Sequence, residues 1–126
     1  MRLVDSSAWI EWLEGSPFGN LVAKELPPRH EWLVPTLIQF ELTKWVLREG
    51  GEDKIDEIIA LTEVCIVADL DTATALLAAE LSRKHKLASA DAIIYATAHS
   101  YDADLLTCDR HFEGLPGVLY IPKLKS

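Results

Sequence analysis

Residues 104–109 read DLLTCD, a short apolar run that ends at a carboxylate. The leucines predict a strand over residues 105–107, with Asp109 just past its carboxyl end. The chain opens with the same arrangement, because Leu3 and Val4 lead directly to Asp5. Open parallel sheets bind their ligands at the carboxyl ends of the strands. The two aspartates therefore predict a functional site at that edge.

The remaining sequence alternates short apolar runs with helical patterns. Strands are predicted over residues 1–4, 32–34, 64–67, 105–107 and 118–120, with the β-branched run 64–67 fully buried. Helices are predicted to end near Glu14, Glu25, Arg48, Thr62, His85 and Ser100, and the fourth begins at Glu52. The first, third, fifth and sixth helices start or are capped at Ser6 or Ser7, at Thr36, at Asp71 or Thr72, and at Ser89, respectively. This alternation predicts an α/β fold, a single three-layer α/β/α domain over residues 1–126 with a mainly parallel sheet of four to five strands.

Two further acidic residues stand in apolar surroundings. Glu41 follows Leu37-Ile38-Gln39-Phe40, and helical periodicity places it within the apolar arc that faces the sheet. Asp91 lies in the first turn of a helix that is apolar on almost every side. Burying a carboxylate is costly unless it binds a cation or shares a proton. Convergence of Asp5, Glu41, Asp91 and Asp109 would therefore predict a metal site.

Three of these residues also have ordinary structural interpretations. Asp5 could cap the first helix, and Asp91 could complement a helix dipole, which is worth about 0.3–1 kcal/mol. Asp109 could be a turn residue before Arg110. Glu41 has no such alternative, because an inward-facing residue in mid-helix needs a partner. Oxygen ligands without a Cys or His framework favour Mg²⁺ or Mn²⁺ over zinc, and such ions suit phosphodiester hydrolysis.

Four segments of the chain together resemble a PIN domain, most closely the VapC toxins of type II toxin–antitoxin systems. They are VDSSAW at residues 4–9, EL at 41–42, ADAIIYATA at 90–98 and LLTCDRHF at 105–112. The resemblance implies a PIN-like fold and a Mg²⁺-dependent endoribonuclease, with Mn²⁺ as a possible substitute. It implies Asp5 and Asp91 as direct metal ligands, with Glu41 and Asp109 completing the site directly or through water. Supporting hydroxyl positions are matched by Ser7 and Thr107.

The same resemblance implies an RNA substrate, a homodimer, and inhibition by a cognate antitoxin whose C-terminal segment packs near the active site. The alternative is a catalytically weak PIN-fold module that acts by binding proteins. His111 departs from the pattern, since many relatives carry an acidic residue there. It could contact metal or phosphate, or it could belong to the loop surface. The sequence therefore predicts one bound Mg²⁺ and does not decide whether a second ion binds.

Composition limits the remaining possibilities. A chain of 126 residues with 49% hydrophobic content is globular, and no apolar stretch approaches the roughly 20 residues of a membrane span. The first residues do not form a signal peptide, so a cytoplasmic protein with no membrane partner is expected. The net charge of −8 argues against nonspecific nucleic-acid binding unless bound cations offset part of it. It also suits a basic protein partner.

Several other signals have simpler explanations. Asp69-Leu70-Asp71 imitates the nucleophile motif of haloacid-dehalogenase-like phosphatases, but helix capping by Asp71 explains it better. Cys65 and Cys108 are expected to be buried free thiols. Trp9 and Trp12 recur at helical spacing, which favours core or dimer-interface packing over base stacking. The basic cluster at residues 83–86 suits a helix end, although it could contact RNA phosphate.

Overall fold

The computed structural model describes residues 1–123 and contains one five-stranded parallel sheet. The strands are β1 (Arg2–Val4), β2 (Trp32–Pro35), β3 (Ile66–Ala68), β4 (Asp104–Thr107) and β5 (Val118–Tyr120). The helices are α1 (Ser6–Glu14), α2 (Pro17–Ala23), α3 (Thr36–Arg48), α4 (Ile55–Glu63), α5 (Thr72–His85) and α6 (Ser89–Ser100). Short 3-10 turns cover Arg29–Glu31, Glu52–Lys54 and Arg110–Phe112. The predicted α/β architecture is confirmed.

Helices cover both faces of the sheet. Helix α1 packs against α2 and α3, α3 packs against α4, and α5 packs against α6. Helices α5 and α6 together connect β3 to β4. This connection crosses the sheet in the direction opposite to the connections from β1 to β2 and from β2 to β3. Because crossovers between parallel strands are right-handed, this reversal places α5 and α6 on the other face. Six α6 residues are buried, which confirms its predicted central position: Ala92, Ile94, Tyr95, Ala96, Thr97 and Ala98.

The strand order β3-β2-β1-β4-β5 gives the sheet a topological switch point. From β1 the chain moves outward through β2 to β3, then returns to β4 on the opposite side of β1. Connections therefore leave β1 and β4 in different directions, which opens a crevice at their carboxyl ends. The Asp5 N–H donates to the Leu106 carbonyl over 2.9 Å, so the two strands remain joined at this point.

The strand predicted over residues 64–67 is present, but it begins two residues later and is only partly buried, so the predicted burial was wrong. Val64 follows α4 as its C-cap and is 57% exposed, while β3 begins at Ile66. Strand β3 is an edge of the sheet, and Val67 is 39% exposed. A run of β-branched residues therefore indicates strand formation here but not burial on both faces, because strand position depends on distant parts of the chain.

Helix boundaries also differ from the predictions. Pro35 and Ala88 occupy N-cap positions in place of the expected Thr36 and Ser89, which are instead inside their helices. Asp5 occupies the N-cap position of α1, as one of the alternatives predicted, but its side chain makes no capping hydrogen bond. Helix α2 ends at Ala23 and not near Glu25, and α4 begins after the turn Glu52–Lys54. The expected cap of α5 is confirmed, since Asp71 Oδ1 accepts the Thr74 N–H over 2.8 Å. No helix among residues 1–123 combines the length and apolar character that a membrane crossing requires.

The tryptophans and cysteines are packed in different ways. Trp9 is fully buried and meets Trp12 and Trp32 edge-to-face, with ring centroids 5.8 and 4.8 Å away, so the packing interpretation is confirmed for this cluster. Cys65 and Cys108 are free but only half-buried, which corrects the expectation of full burial. Burial raises the pKa of Cys65 to about 11 and that of Cys108 to about 12, so both thiols are protonated at neutral pH.

Candidate metal centre

Two hydroxyl groups hold the carboxylate of Asp5 at the switch point. Ser7 Oγ donates to Asp5 Oδ2 over 2.9 Å, and Thr107 Oγ1 donates to the same oxygen over 2.7 Å. Each hydroxyl also accepts a backbone N–H at 2.9 Å, from Cys108 to Ser7 and from Asp109 to Thr107. Since a hydroxyl has one proton, these accepted bonds direct both protons toward Asp5. The two hydroxyl oxygens lie 3.2 Å apart.

Asp5 is an acidic side chain with little access to water. Its exposed fraction is 5%, and this burial raises its pKa above the ordinary value. The hydrogen bonds from Thr107 and Ser7 oppose the rise, while the charge of Asp109 adds to it. Both hydroxyls use the same carboxylate oxygen, Oδ2. A cation approaching Asp5 would therefore bind the other oxygen, Oδ1.

Glu41 lies at the margin of the buried stripe of α3, which is formed by Ile38, Leu42 and Val46. It is half-buried. Burial raises its pKa, followed by the negative charge of Asp5 and then by those of Asp91 and Asp109. The Ser6 side chain opposes this rise in the pKa of Glu41. The negative charges of all three other candidate carboxylates thus raise the pKa of Glu41, which indicates that the four residues lie in one cluster.

Asp91 and Asp109 meet at the open side of this cluster. Asp91 is in the first turn of α6, and Asp109 follows β4 and precedes the turn Arg110–Phe112. His111 Nδ1 lies 3.3 Å from Asp91 Oδ2 and 3.2 Å from Asp109 Oδ1. Burial raises the pKa of Asp91, the charge of Asp109 raises it further, and His111 opposes both.

Two acidic side chains outside this cluster are paired with basic residues. Arg2 binds Asp104 with two hydrogen bonds of 2.8 and 2.9 Å at the amino ends of β1 and β4. Glu11, only 5% exposed, pairs with Lys123 Nζ at 2.9 Å. Among residues 1–123, the four clustered carboxylates have no Lys or Arg within ion-pair distance. Their charge is thus left for another cation, and an all-oxygen donor set fits a hard divalent ion.

Two residues of this region were missed by the sequence interpretation. Ser6 was considered only as a helix cap, yet its side chain lies close enough to Glu41 to oppose the rise in the pKa of that carboxyl. Glu11 stands between Ile10 and Trp12, which is the same signal of an acidic residue in an apolar run that identified Glu41. Its partner Lys123 lies just after β5, and no local pattern connects the two residues.

A cavity of about 230 Å³ opens beside the cluster. It is lined by Lys86, Leu87, Ala88, Asp91 and His111. Lys86 ends helix α5 with a left-handed backbone, φ 57°, and is, among residues 1–123, the one Lys or Arg residue that lines this cavity. The cavity thus combines two members of the carboxylate–histidine cluster with a group that can bind a phosphate.

Several solved structures share the fold and align with almost the whole of this chain. A toxin–antitoxin complex from Klebsiella pneumoniae aligns with a TM-score of 0.80 and 22% identity, covering 94% of this chain and 96% of that one. VapC20 from Mycobacterium tuberculosis, described as a Sarcin-Ricin loop cleaving toxin, aligns with a TM-score of 0.73 and 17% identity over 94% of this chain and 97% of that one. FitAcB from Neisseria gonorrhoeae aligns with a TM-score of 0.76 and 20% identity over 97% and 98% of the two chains.

At these identities the structural likeness shows the fold alone. No curated protein matches the sequence. The family model of the PIN domain, in contrast, matches residues 2–118. This match contains the strand ends at β1 and β4, helix α3 and helix α6, so all four clustered carboxylates fall inside it. The chain belongs to the PIN domain family.

Proposed function

We propose that this protein is a divalent-metal-dependent endoribonuclease and the toxin of a type II toxin–antitoxin pair. The observation that carries the proposal is the cluster of Asp5, Glu41, Asp91 and Asp109 at the switch point of the sheet, where three of the four have raised pKa values. Membership of the PIN family supports the nuclease activity. The biological role is supported by two structural neighbours, one described as a toxin–antitoxin complex and the other as a toxin.

Asp5 and Asp91 are the proposed direct ligands of one Mg²⁺ or Mn²⁺, with Glu41 and Asp109 completing the site directly or through water. The bound ion supplies Lewis-acid activation of the phosphodiester and of the attacking water. Ser7 and Thr107 orient Asp5 by fixing Oδ2, as their hydrogen bonds show. Glu41 and Asp109 are the proposed acceptors of the proton that the attacking water loses.

RNA is the proposed substrate, and Lys86 is the proposed contact to one of its phosphates. Lys86 shares a cavity with Asp91, so a phosphate bound there lies next to the carboxylate cluster. The net charge of −8 otherwise repels a polyanion. Besides the bound cation, Lys86 would supply local positive charge to hold the substrate beside the cluster.

The cognate antitoxin and a second copy of the chain are the proposed protein partners. A carboxylate cluster without Lys or Arg partners among residues 1–123 suits an antitoxin arginine, which binds carboxylates through two parallel hydrogen bonds. For the dimer, we propose the apolar cavity lined by Leu37, Phe40, Leu70 and Ile93. Phe40 is 60% exposed and Leu70 48%, more apolar surface than a monomer needs. Phe40→Glu should convert the dimer to a monomer in light-scattering measurements, whereas an unchanged mass would place the interface elsewhere.

Cleavage of end-labelled RNA of mixed sequence tests the enzymatic proposal. The metal-free protein should be inactive, and Mg²⁺ or Mn²⁺ should restore cleavage that a chelator then stops. Asp5→Asn should lower the rate by at least about 100-fold, the scale of losing a group that acts in the transition state. Asp69→Asn, which changes an exposed aspartate between β3 and α5, is the matched control and should retain the wild-type rate. A wild type that binds antitoxin but cleaves no RNA would support the binding-module alternative.

A further inference from the structure

His111 has an unusual position for an exposed side chain. Its exposed fraction is 69%, yet Nδ1 lies 3.2 Å from Asp109 Oδ1 and 3.3 Å from Asp91 Oδ2. One ligand atom from each of these three residues lies within 4.8 Å of the other two. The exposed imidazole thus contacts the carboxylates at the open side of the cluster.

The backbone on either side holds this arrangement in place. Asp109 Oδ1 accepts the His111 N–H over 3.0 Å, so the Asp109 side chain fixes the backbone of the residue that its oxygen faces. The next residue, Phe112, is fully buried and packs near Tyr95, with ring centroids 6.5 Å apart. The turn Arg110–Phe112 is therefore anchored at both ends, and the His111 ring extends from a fixed point.

The observed spacings match those of ligands around one ion. With bonds of about 2.1 Å, neighbouring ligand atoms are about 3.0 Å apart in an octahedral site and slightly farther apart in a tetrahedral one. The Nδ1 distances of 3.2 and 3.3 Å fall in this range. A proton on His111 Nδ1 can form a well-aligned hydrogen bond to only one of the two carboxylate oxygens, whereas a cation bound between Nδ1 and both oxygens would interact with all three atoms.

We propose that His111 is a direct metal ligand and that it biases the centre toward a first-row transition ion such as Mn²⁺ over Mg²⁺. Imidazole nitrogen binds such ions well, whereas Mg²⁺ prefers oxygen ligands alone. Asp91 and Asp109 supply the oxygens that face His111. This proposal rests on the proposed metal-dependent function and deepens it by naming the class of metal and the residue that selects it.

Pulsed EPR of Mn²⁺ bound to the full-length protein tests the ligand directly. The wild type should show hyperfine coupling to a directly bound ¹⁴N nucleus, and His111→Ala should lose it. His30→Ala, which removes another exposed histidine, should retain it. Bound Mn²⁺ without nitrogen coupling in the wild type would overturn the proposal, and this result does not depend on the folding of any variant.

Calorimetric affinities for Mn²⁺ and Mg²⁺ provide the second measurement. His111→Ala should lower the ratio of Mn²⁺ to Mg²⁺ affinity by about 10-fold or more, and His111→Asp should shift it further toward Mg²⁺. An unchanged ratio would overturn the proposal. If wild type and His111→Ala bind both ions equally and both cleave RNA, only the His111 assignment fails. If the wild type binds neither ion, the proposed function fails together with it.

Discussion

The Thr107 hydroxyl donates a hydrogen bond of 2.7 Å to Asp5 Oδ2 and thereby joins the carboxyl ends of β4 and β1. The same hydroxyl accepts the Asp109 N–H over 2.9 Å. One buried side chain thus orients one clustered carboxylate through its proton and positions the backbone of another through its lone pair. The crevice at the switch point is therefore a fixed feature of the sheet.

Thr107→Val keeps the shape of the side chain but removes the hydroxyl. The free energy of unfolding should fall by about 1–3 kcal/mol, because Asp5 loses a donor and the Asp109 N–H loses its acceptor. Urea unfolding of the metal-free protein measures the change. Thr97→Val is the matched control, since the buried Thr97 hydroxyl bonds only to its own helix at the Ile93 carbonyl, and its effect should be smaller. Equal effects of the two substitutions would contradict the role given to Thr107.

The metal-free protein should become less stable as pH rises. Burial, with added repulsion inside the cluster, holds the pKa values of Asp5, Glu41 and Asp91 above those of the unfolded chain. The native state therefore binds more protons than the unfolded state above about pH 4, and the contribution to stability is lost as pH rises through the raised native values. Urea unfolding at several pH values up to neutrality measures the slope.

A saturating divalent cation should remove this slope, because it favours the ionised carboxylates. Asp91→Asn should reduce the slope in the absence of metal, whereas Asp69→Asn, at an exposed position, should leave it unchanged. Stability that increases with pH over the same range would contradict the assignment of raised pKa values to the cluster.

Asp91→Asn should separate stability from metal binding. Removing one of several repelling charges should leave the melting temperature of the metal-free protein unchanged or raise it. Wild type should gain about 2.7 kcal/mol of stability at a metal concentration 100 times the dissociation constant, and the variant should gain little. Differential scanning calorimetry with and without Mn²⁺ measures both effects. A large loss of stability without metal would instead support a purely structural role at the start of α6.

Lys123 should contribute to stability through Glu11. Glu11 is buried while the Lys123 side chain is 69% exposed, so Lys123→Ala leaves a buried carboxylate without its partner. We expect a loss of about 1–2 kcal/mol in the free energy of unfolding, and a smaller loss for Glu11→Gln, which removes the charge itself. Lys84→Ala, on the exposed side of α5, is the control and should have little effect. A loss no greater than that of the control would show that the pair does not stabilise the fold.

Lys86 should affect substrate binding more than the chemical step. Lys86→Asn removes the positive charge while placing a residue that tolerates the left-handed backbone at φ 57°. The KM for RNA should rise several-fold with a smaller change in kcat, and the dependence of kcat/KM on salt should weaken. Lys86→Arg should restore both. A fall in kcat with unchanged KM would contradict a role in phosphate binding.

Local sequence patterns predicted the features that depend on neighbouring residues. Asp5 and Asp109 were found at the ends of β1 and β4 because an apolar run followed by a carboxylate is visible in a few residues. The strand order, and with it the switch point between those two strands, depends on how distant segments pair. For the same reason the sequence did not reveal that β3 is an edge strand, nor the contact of Lys123 with Glu11.

The sequence also could not predict the contacts between side chains within the cluster. Ser6 and Ser7 are adjacent in the chain, yet the first acts on the pKa of Glu41 and the second donates a hydrogen bond to Asp5, because successive helical residues point in different directions. For His111 the sequence allowed either a contact with metal or phosphate or a position on the loop surface. Its contact with Asp91 required the start of α6 and the turn after β4 to come together.

The initial rate of RNA cleavage during a titration of Mn²⁺ into metal-free protein tests the central proposal most directly. We expect the rate to rise from zero and to saturate with the dissociation constant found by calorimetry, while Asp5→Asn remains inactive at every concentration. Cleavage that is independent of added metal and survives chelation, or an Asp5→Asn variant as active as the wild type, would contradict the assignment of the carboxylate cluster as the catalytic metal centre.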